Sequence, residues 1–215
     1  MEMGVNNDAF PNAVDEDPAC AHRKPEPNDI VRTDPTDADN HAFNNPLHEL
    51  PDWFMFAIMM RLTDGPQPDP NPSASAQRGR TVFSNVGCAL CHTPTMQTHD
   101  MLITAVLQNR PVNLFSDLLV HHMGSQLADD IIQGQAGPDE FRTVPLWGVG
   151  QRIFFLHDGR TSDLLQAILA HASSDQVNNN GQGTFPPSEA NSVIANFNAL
   201  PDTDKQAILD FLRSL

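Results

Sequence analysis

Hydrophobic positions fall into a few short runs separated by long polar stretches. Leu50 to Leu62 is apolar on nearly every side, with Pro51 and Asp52 suited to a first turn and Arg61 to a last one. A helix apolar all round is buried or forms an interface, and burial within this chain is the expectation. Ser73 to Asn85 carries Ala76, Arg80, Val82 and Phe83 at helical spacing, with Ser73 or Ser75 as its N-cap. Gly79 inside that helix costs about 1 kcal/mol relative to Ala, which a close approach by something bulky would justify. Residues 162–172 predict a further helix, capped by Ser162, with Leu164, Leu165, Ile168 and Leu169 on one face. Two terminal helices follow, over 188–199 and 203–214. Ser188 caps the first, and Thr203-Asp204-Lys205-Gln206 reads as a capping box for the second.

Between these helices the pattern is broken. Leu102 to Val106 predicts a short strand, Leu114 to Val120 a short apolar segment, and Phe141 to Gly148 an extended, turning one. Gly65 to Pro72 alternates Pro with polar residues and predicts a semi-rigid extended linker. Residues 1–50 hold eleven acidic and three basic residues with almost no apolar periodicity. They read as an acidic tail, or as an extended arm or interdomain linker wrapped on a partner domain. The expected organisation is therefore an arm (1–50), a short apolar helix with a Pro-rich linker (51–72) and a main domain (73–215), mainly α.

Composition narrows the function. The 215 residues carry 12 Lys+Arg against 27 Asp+Glu, a formal charge of −15. Such a chain repels phosphate backbones and anionic bilayers, so no nucleic-acid partner is expected. The longest apolar run, Trp53 to Met60, is far short of the roughly 20 residues that span a bilayer. Met1 is not followed by a basic region and an apolar stretch, so no signal peptide is read; for a protein exported from the cytoplasm this would mean a mature product, a fragment or a misassigned start.

Cys88-Ala89-Leu90-Cys91-His92 carries the chemistry. Two thiols three apart can each add to a vinyl group of one haem, and the following His lies under the iron. The motif reads as attachment of one covalent haem c. A zinc site would need a second Cys or Cys/His pair, but Cys20 is the only other cysteine. A dithiol redox motif would sit in a βαβ context that this pattern lacks. Such attachment takes place outside the cytoplasm, so a periplasmic or otherwise extracytoplasmic location is expected. A helix before the motif and paired helices at the C-terminus suit a cytochrome-c-like helical domain, in which Gly79 would permit the first and last helices to cross.

A six-coordinate iron needs a second axial donor, Met or His. Met96, His99, Met101, His121, His122, Met123, His157 and His171 are the candidates. His171 follows Leu164 and Ile168 on the apolar face of its helix and so points inward.

Phe141-Arg142-Thr143-Val144-Pro145-Leu146-Trp147-Gly148-Val149-Gly150 and Phe155-Leu156-His157-Asp158-Gly159-Arg160 together resemble the di-haem oxidoreductase family. Ser116-Asp117-Leu118-Leu119-Val120-His121-His122-Met123-Gly124 does so too. That family is distantly related to bacterial di-haem cytochrome c peroxidases and MauG. The likeness is dense from about Gly79 onward and matches the family's C-terminal half, with one haem motif in place of two. In the relatives the distal ligand stands fourteen residues after the His of the His-Asp-Gly turn. Fourteen after His157 is His171, which the resemblance therefore implies as second ligand, ahead of Met123 and of an open site. His157 would then stand behind the ligands, or be an ordinary turn histidine. Arg142 and Arg160 read as partners for haem propionates or as surface ion pairs. Trp147 reads as packing on the haem edge rather than as a redox relay.

Three functions compete. The leading one is electron transfer by a six-coordinate haem with a redox partner protein, of which a second haem-bearing chain or domain is one form. The alternative is a peroxidase-like enzyme with an open or opening iron site and His157 or His121 as acid–base group. The third, compatible with both, is a subunit that docks through residues 1–62.

Overall fold

The computed structural model describes residues 52–100, 105–129, 131–173 and 185–215. The acidic arm, Cys20 and most of the strand expected at Leu102–Val106 lie outside them. The chain divides into two compact units, one formed by residues 1–64 and 131–135, the other by 65–130 and 136–215.

In the first unit, helix α1 spans Asp52–Leu62 with Arg61 in its last turn. Thr63 closes it, its N–H and hydroxyl both donating to the Met59 carbonyl at 2.8 and 2.6 Å. The burial expected for this helix is not found: Phe56, Met59, Met60 and Leu62 are each more than half exposed. Eleven residues, apolar all round, have no polar face to turn outward.

The second unit holds α2 (Ala74–Val86), α3 (Leu164–Leu169), α4 (Asn191–Asn198) and α5 (Asp202–Arg213). Two small antiparallel ladders complete it. Strand β1 (Met96–Gln97) pairs with β2 (Pro111–Val112), and β3 (Val120–His122) pairs with β4 (Glu140–Arg142). The expectation of a mainly α domain is not met. The described residues hold five α-helices and two small antiparallel sheets, and from Cys91 to Asp163 they form no α-helix. Pro94, Pro111, Pro138 and Pro145 interrupt that stretch and cannot continue a helix. Non-glycine residues at positive φ, among them Phe115 (53°) and Leu118 (61°), turn the chain back on itself.

Helix α2 starts as its sequence dictates: Ser73 Oγ accepts from Ala76 N–H at 3.1 Å. It stops at Gly87, whose φ of 111° is cheap only for glycine. Other caps differ from expectation. Asp163, not Ser162, caps α3, accepting from Leu165 N–H at 2.8 Å. Helix α5 begins at Asp202, so Thr203 lies inside it and no capping box forms; Asp202 and Asp204 meet the helix dipole instead. Ser188 does not cap α4, which starts at Asn191. Its hydroxyl donates to the His171 carbonyl and accepts from Ala190 N–H.

The core is a contact between α2 and α5, joined by Phe115, Val149, Phe155, Leu164, Ala167 and Phe197. Phe83 of α2 and Phe211 of α5 meet edge-on at 5.4 Å, and Phe115 meets Phe211 edge-on at 5.5 Å. Gly79 makes this crossing possible: a Cβ there would lie 1.8 Å from the Ala207 carbonyl oxygen. Arg78 reinforces the pair from outside through Asp204 at 2.6 Å. Extended residues 65–72 run along the same unit. Asp69 N–H donates to the Ser214 carbonyl at 2.8 Å, and Gly65 lies against the Trp147 ring.

Replacing Gly79 by Ala should lower stability by about 2–3 kcal/mol, against a helix-propensity gain of about 1 kcal/mol. Urea titration checks it, and a variant as stable as the parent would remove Gly79 from its role at the crossing.

Candidate functional site

The site is built on the exit from α2. Past the left-handed Gly87 the chain makes one 3-10 turn, Cys88–Leu90, and His92 N–H closes back on the Cys88 carbonyl at 2.9 Å. This brings Cys88, Cys91 and His92 to one end of α2. Both thiols are free and partly buried. Burial pushes the Cys88 thiol up to about 11. Burial also raises Cys91, helped by the nearby Asp117 and Glu189 carboxylates.

His92 packs on the aromatic core, its ring 6.2 Å from Phe83. Its Nδ1 lies 3.0 Å from the Phe115 carbonyl oxygen. A carbonyl only accepts, so Nδ1 carries the proton and Nε2 is left as a bare donor atom. Burial lowers its pKa to about 4, which keeps the ring neutral.

His171 repeats this arrangement from the other side. It lies beyond α3 rather than on it. The chain tightens there, so that His171 N–H bonds to the Ile168 carbonyl at 3.1 Å. This leaves the Ala167 carbonyl to the His171 side chain, whose Nδ1–H donates to it at 2.8 Å. Burial lowers the pKa of this ring too. Both rings are largely enclosed by protein yet keep part of their surface exposed.

The two imidazole centroids are 6.4 Å apart, with planes inclined at 59°. A metal ion at about 2 Å from each ligating nitrogen, itself about 1.2 Å from its ring centre, would separate two facing rings by about 6.4 Å. The observed separation equals that value, so the spacing of His92 and His171 would allow one iron between them.

Among the other predicted donors, His121 and His122 are held by carboxylates, and Met101 lies outside the described residues. His121 Nδ1 bonds to Glu189 at 2.8 Å and its Nε2 to Asp117 at 2.9 Å. Burial pulls its pKa down, but the two carboxylates outweigh this and leave it raised. His122 bonds to Asp139 at 2.8 Å, which raises its pKa. Cys91, Asp117 and His121 place donor atoms within 4.8 Å of one another. With both ring nitrogens given to carboxylates, His121 is a clamped imidazolium rather than a metal ligand. Met123 follows β3, its backbone N–H donating to the Asp139 carbonyl at 2.8 Å.

His157 stacks on Phe141 at 4.3 Å and reaches Asp129 at 3.4 Å, on a turn that Leu156 and Gly159 enter at positive φ. Arg160 is held by Asp158 at 2.6 Å and by the Gln126 carbonyl at 2.6 Å. Arg142 is exposed on β4, without an ion-pair partner among the described residues. The Trp147 ring packs on Gly65.

Asp117, Glu189 and the Phe115 carbonyl belong to the site but escaped sequence reasoning. Asp117 and His121 stand four apart, which was legible. Glu189 is 68 residues from its partner, and a carbonyl leaves no trace in side-chain pattern.

Two neutral, backbone-anchored imidazoles beside a Cys-x-x-Cys-His turn are the donor set of a haem-linked redox protein. The chain belongs to the family described as "Di-haem oxidoreductase, putative peroxidase", which matches residues 65–215. No curated protein matches it. Among the described residues no helix is long and apolar enough to cross a membrane.

The clamp on His121 has a definite pH dependence. Its raised pKa contributes stability that is complete below the unfolded value near 6.5 and is lost as pH rises through the folded value. Asp117 and Glu189 are held low; they contribute above about pH 4.5 and lose that as pH falls through their folded values. The stability lost in His121→Asn should therefore be larger at pH 6 than at pH 9 in urea titrations. An equal loss at both would sink the clamp.

Proposed function

We propose that the chain carries one covalent c-type haem and transfers electrons within a di-haem-oxidoreductase system. The observation that supports this most is the pair His92 and His171, 6.4 Å apart, each with Nδ1 tied to a carbonyl. Cys88 and Cys91 would hold the group through thioethers, each thiol S–H adding across one vinyl bond with no change in oxidation state overall. Bound haem supplies one-electron exchange at iron.

The protein's part is to fix the ligands. Burial keeps both imidazoles neutral, and the carbonyls at Nδ1 select the tautomer that presents Nε2. Two His ligands give a lower potential than a His/Met pair, because thioether ligation raises it. With His92 and His171 both bound, peroxide would reach the iron only if one of them let go, which favours electron transfer over the peroxidase reading. The partner is a redox protein, such as a second haem-bearing chain or domain. The location is periplasmic or otherwise extracytoplasmic, where haem c is attached.

Optical and EPR spectra of the parent and His171→Ala test the reading. A low-spin parent and a high-spin variant are expected, with haem that resists acidic organic extraction and becomes extractable when Cys88 and Cys91 are both replaced by Ala. A variant that stays low-spin would pass the position to Met123. A high-spin parent would replace electron transfer with the peroxidase reading.

A further inference from the structure

The carbonyl that orients His92 comes from a residue in an unfavourable conformation. Phe115 is 4% exposed and has φ 53°, and Leu118, three residues on, has φ 61°. Left-handed backbone is unfavourable for a non-glycine residue and persists only where surrounding contacts impose it. Ser116 lies between these two residues and is fully buried. Its hydroxyl donates to the Thr143 carbonyl at 2.6 Å and accepts from Leu118 N–H at 2.9 Å. Its own N–H donates to the Thr93 carbonyl at 2.9 Å, one residue beyond His92. Phe115 N–H reaches the Pro94 carbonyl at 3.3 Å, and Asp117 N–H the Cys91 carbonyl at 2.9 Å. Residues 115–117 are thus stitched to 91–94, and one buried hydroxyl closes the turn that presents the Phe115 carbonyl.

We infer that Ser116 is a positioning residue that sets the reduction potential of the site by holding the Phe115 carbonyl on His92 Nδ1. The inference rests on the haem reading above. A hydrogen bond accepted from Nδ1–H makes the imidazole a more basic ligand, which favours the oxidised, more positive metal. The distal carbonyl has no such dependence, since Ala167 is held by the body of α3. Loosening the 115–118 turn therefore weakens one ligand only. Its expected consequence is an easier reduction, with both ligands still bound.

The experiment is a redox titration of the haem-loaded full chain, parent beside Ser116→Ala, with optical spectra at each potential. The variant should stay low-spin, and its oxidised-to-reduced ratio at the parent midpoint should fall about tenfold, which is about 59 mV upward for one electron. Leu118→Gly added to Ser116→Ala should recover part of the shift, because glycine adopts the left-handed turn without the hydroxyl. If Ser116→Ala does not hold haem, Ser116→Cys replaces it, with a smaller shift of the same sign. An unchanged or lowered midpoint overturns the inference. Loss of haem from both single variants also overturns it, since Ser116 would then serve the fold alone. Failure of the underlying reading looks different, because the parent itself would then lack a low-spin covalent haem.

Discussion

Everything at the site hangs on the close crossing of α2 and α5. At Gly79 the backbone of α5 occupies the space a side chain would need, with the Ala207 carbonyl nearest. That approach brings Phe83 and Phe211 together and lets Phe115 join them edge-on. The aromatic cluster is the floor on which His92 rests. Because α2 ends one turn past Phe83, the same helix that builds the floor also delivers both cysteines and the histidine. Packing and chemistry share one element, so a change in the crossing is a change at the site.

The two histidines are oriented by carbonyls that regular structure leaves over. One belongs to Phe115, in a left-handed turn; the other to Ala167, released when α3 tightens at its end. In both places a buried carbonyl without a backbone donor would be costly, and the imidazole N–H supplies the donor. The arrangement satisfies the backbone and selects the tautomer at once. Two other histidines show the opposite solution. In an acidic chain, His121 and His122 are taken by carboxylates and held toward the charged form, which removes them from competition as ligands.

The middle of the chain explains why helical periodicity misled. From Cys91 to Asp163, prolines and left-handed residues hold the backbone in turns and short ladders, and the unit is not mainly α. Local caps shifted for related reasons. Ser188 has a residue type that favours capping, but the His171 carbonyl lies within reach and takes its hydroxyl. Thr203 fails as a cap because α5 starts one residue earlier, where Asp202 and Asp204 already meet the dipole. Apolar helix α1 reads as buried by composition, yet composition does not say what covers it.

The sequence alone determined the local chemistry. Cys88, Cys91 and His92 are adjacent in the chain, so their spacing is a property of the backbone and needs no fold to be read. Gly79 within a helix and Gly87 at its end were legible in the same way, because each departs from what a helix prefers. The fourteen-residue step from His157 pointed to His171 through resemblance. What faces what was decided by tertiary structure. The approach of His171 to His92, the carboxylates around His121, the Trp147 ring on Gly65 and the turn at Phe115 join residues far apart in the chain. Such contacts depend on how loops of irregular backbone close. Periodicity carries no information about that, because it records only which face of an element is apolar and not which element will meet it.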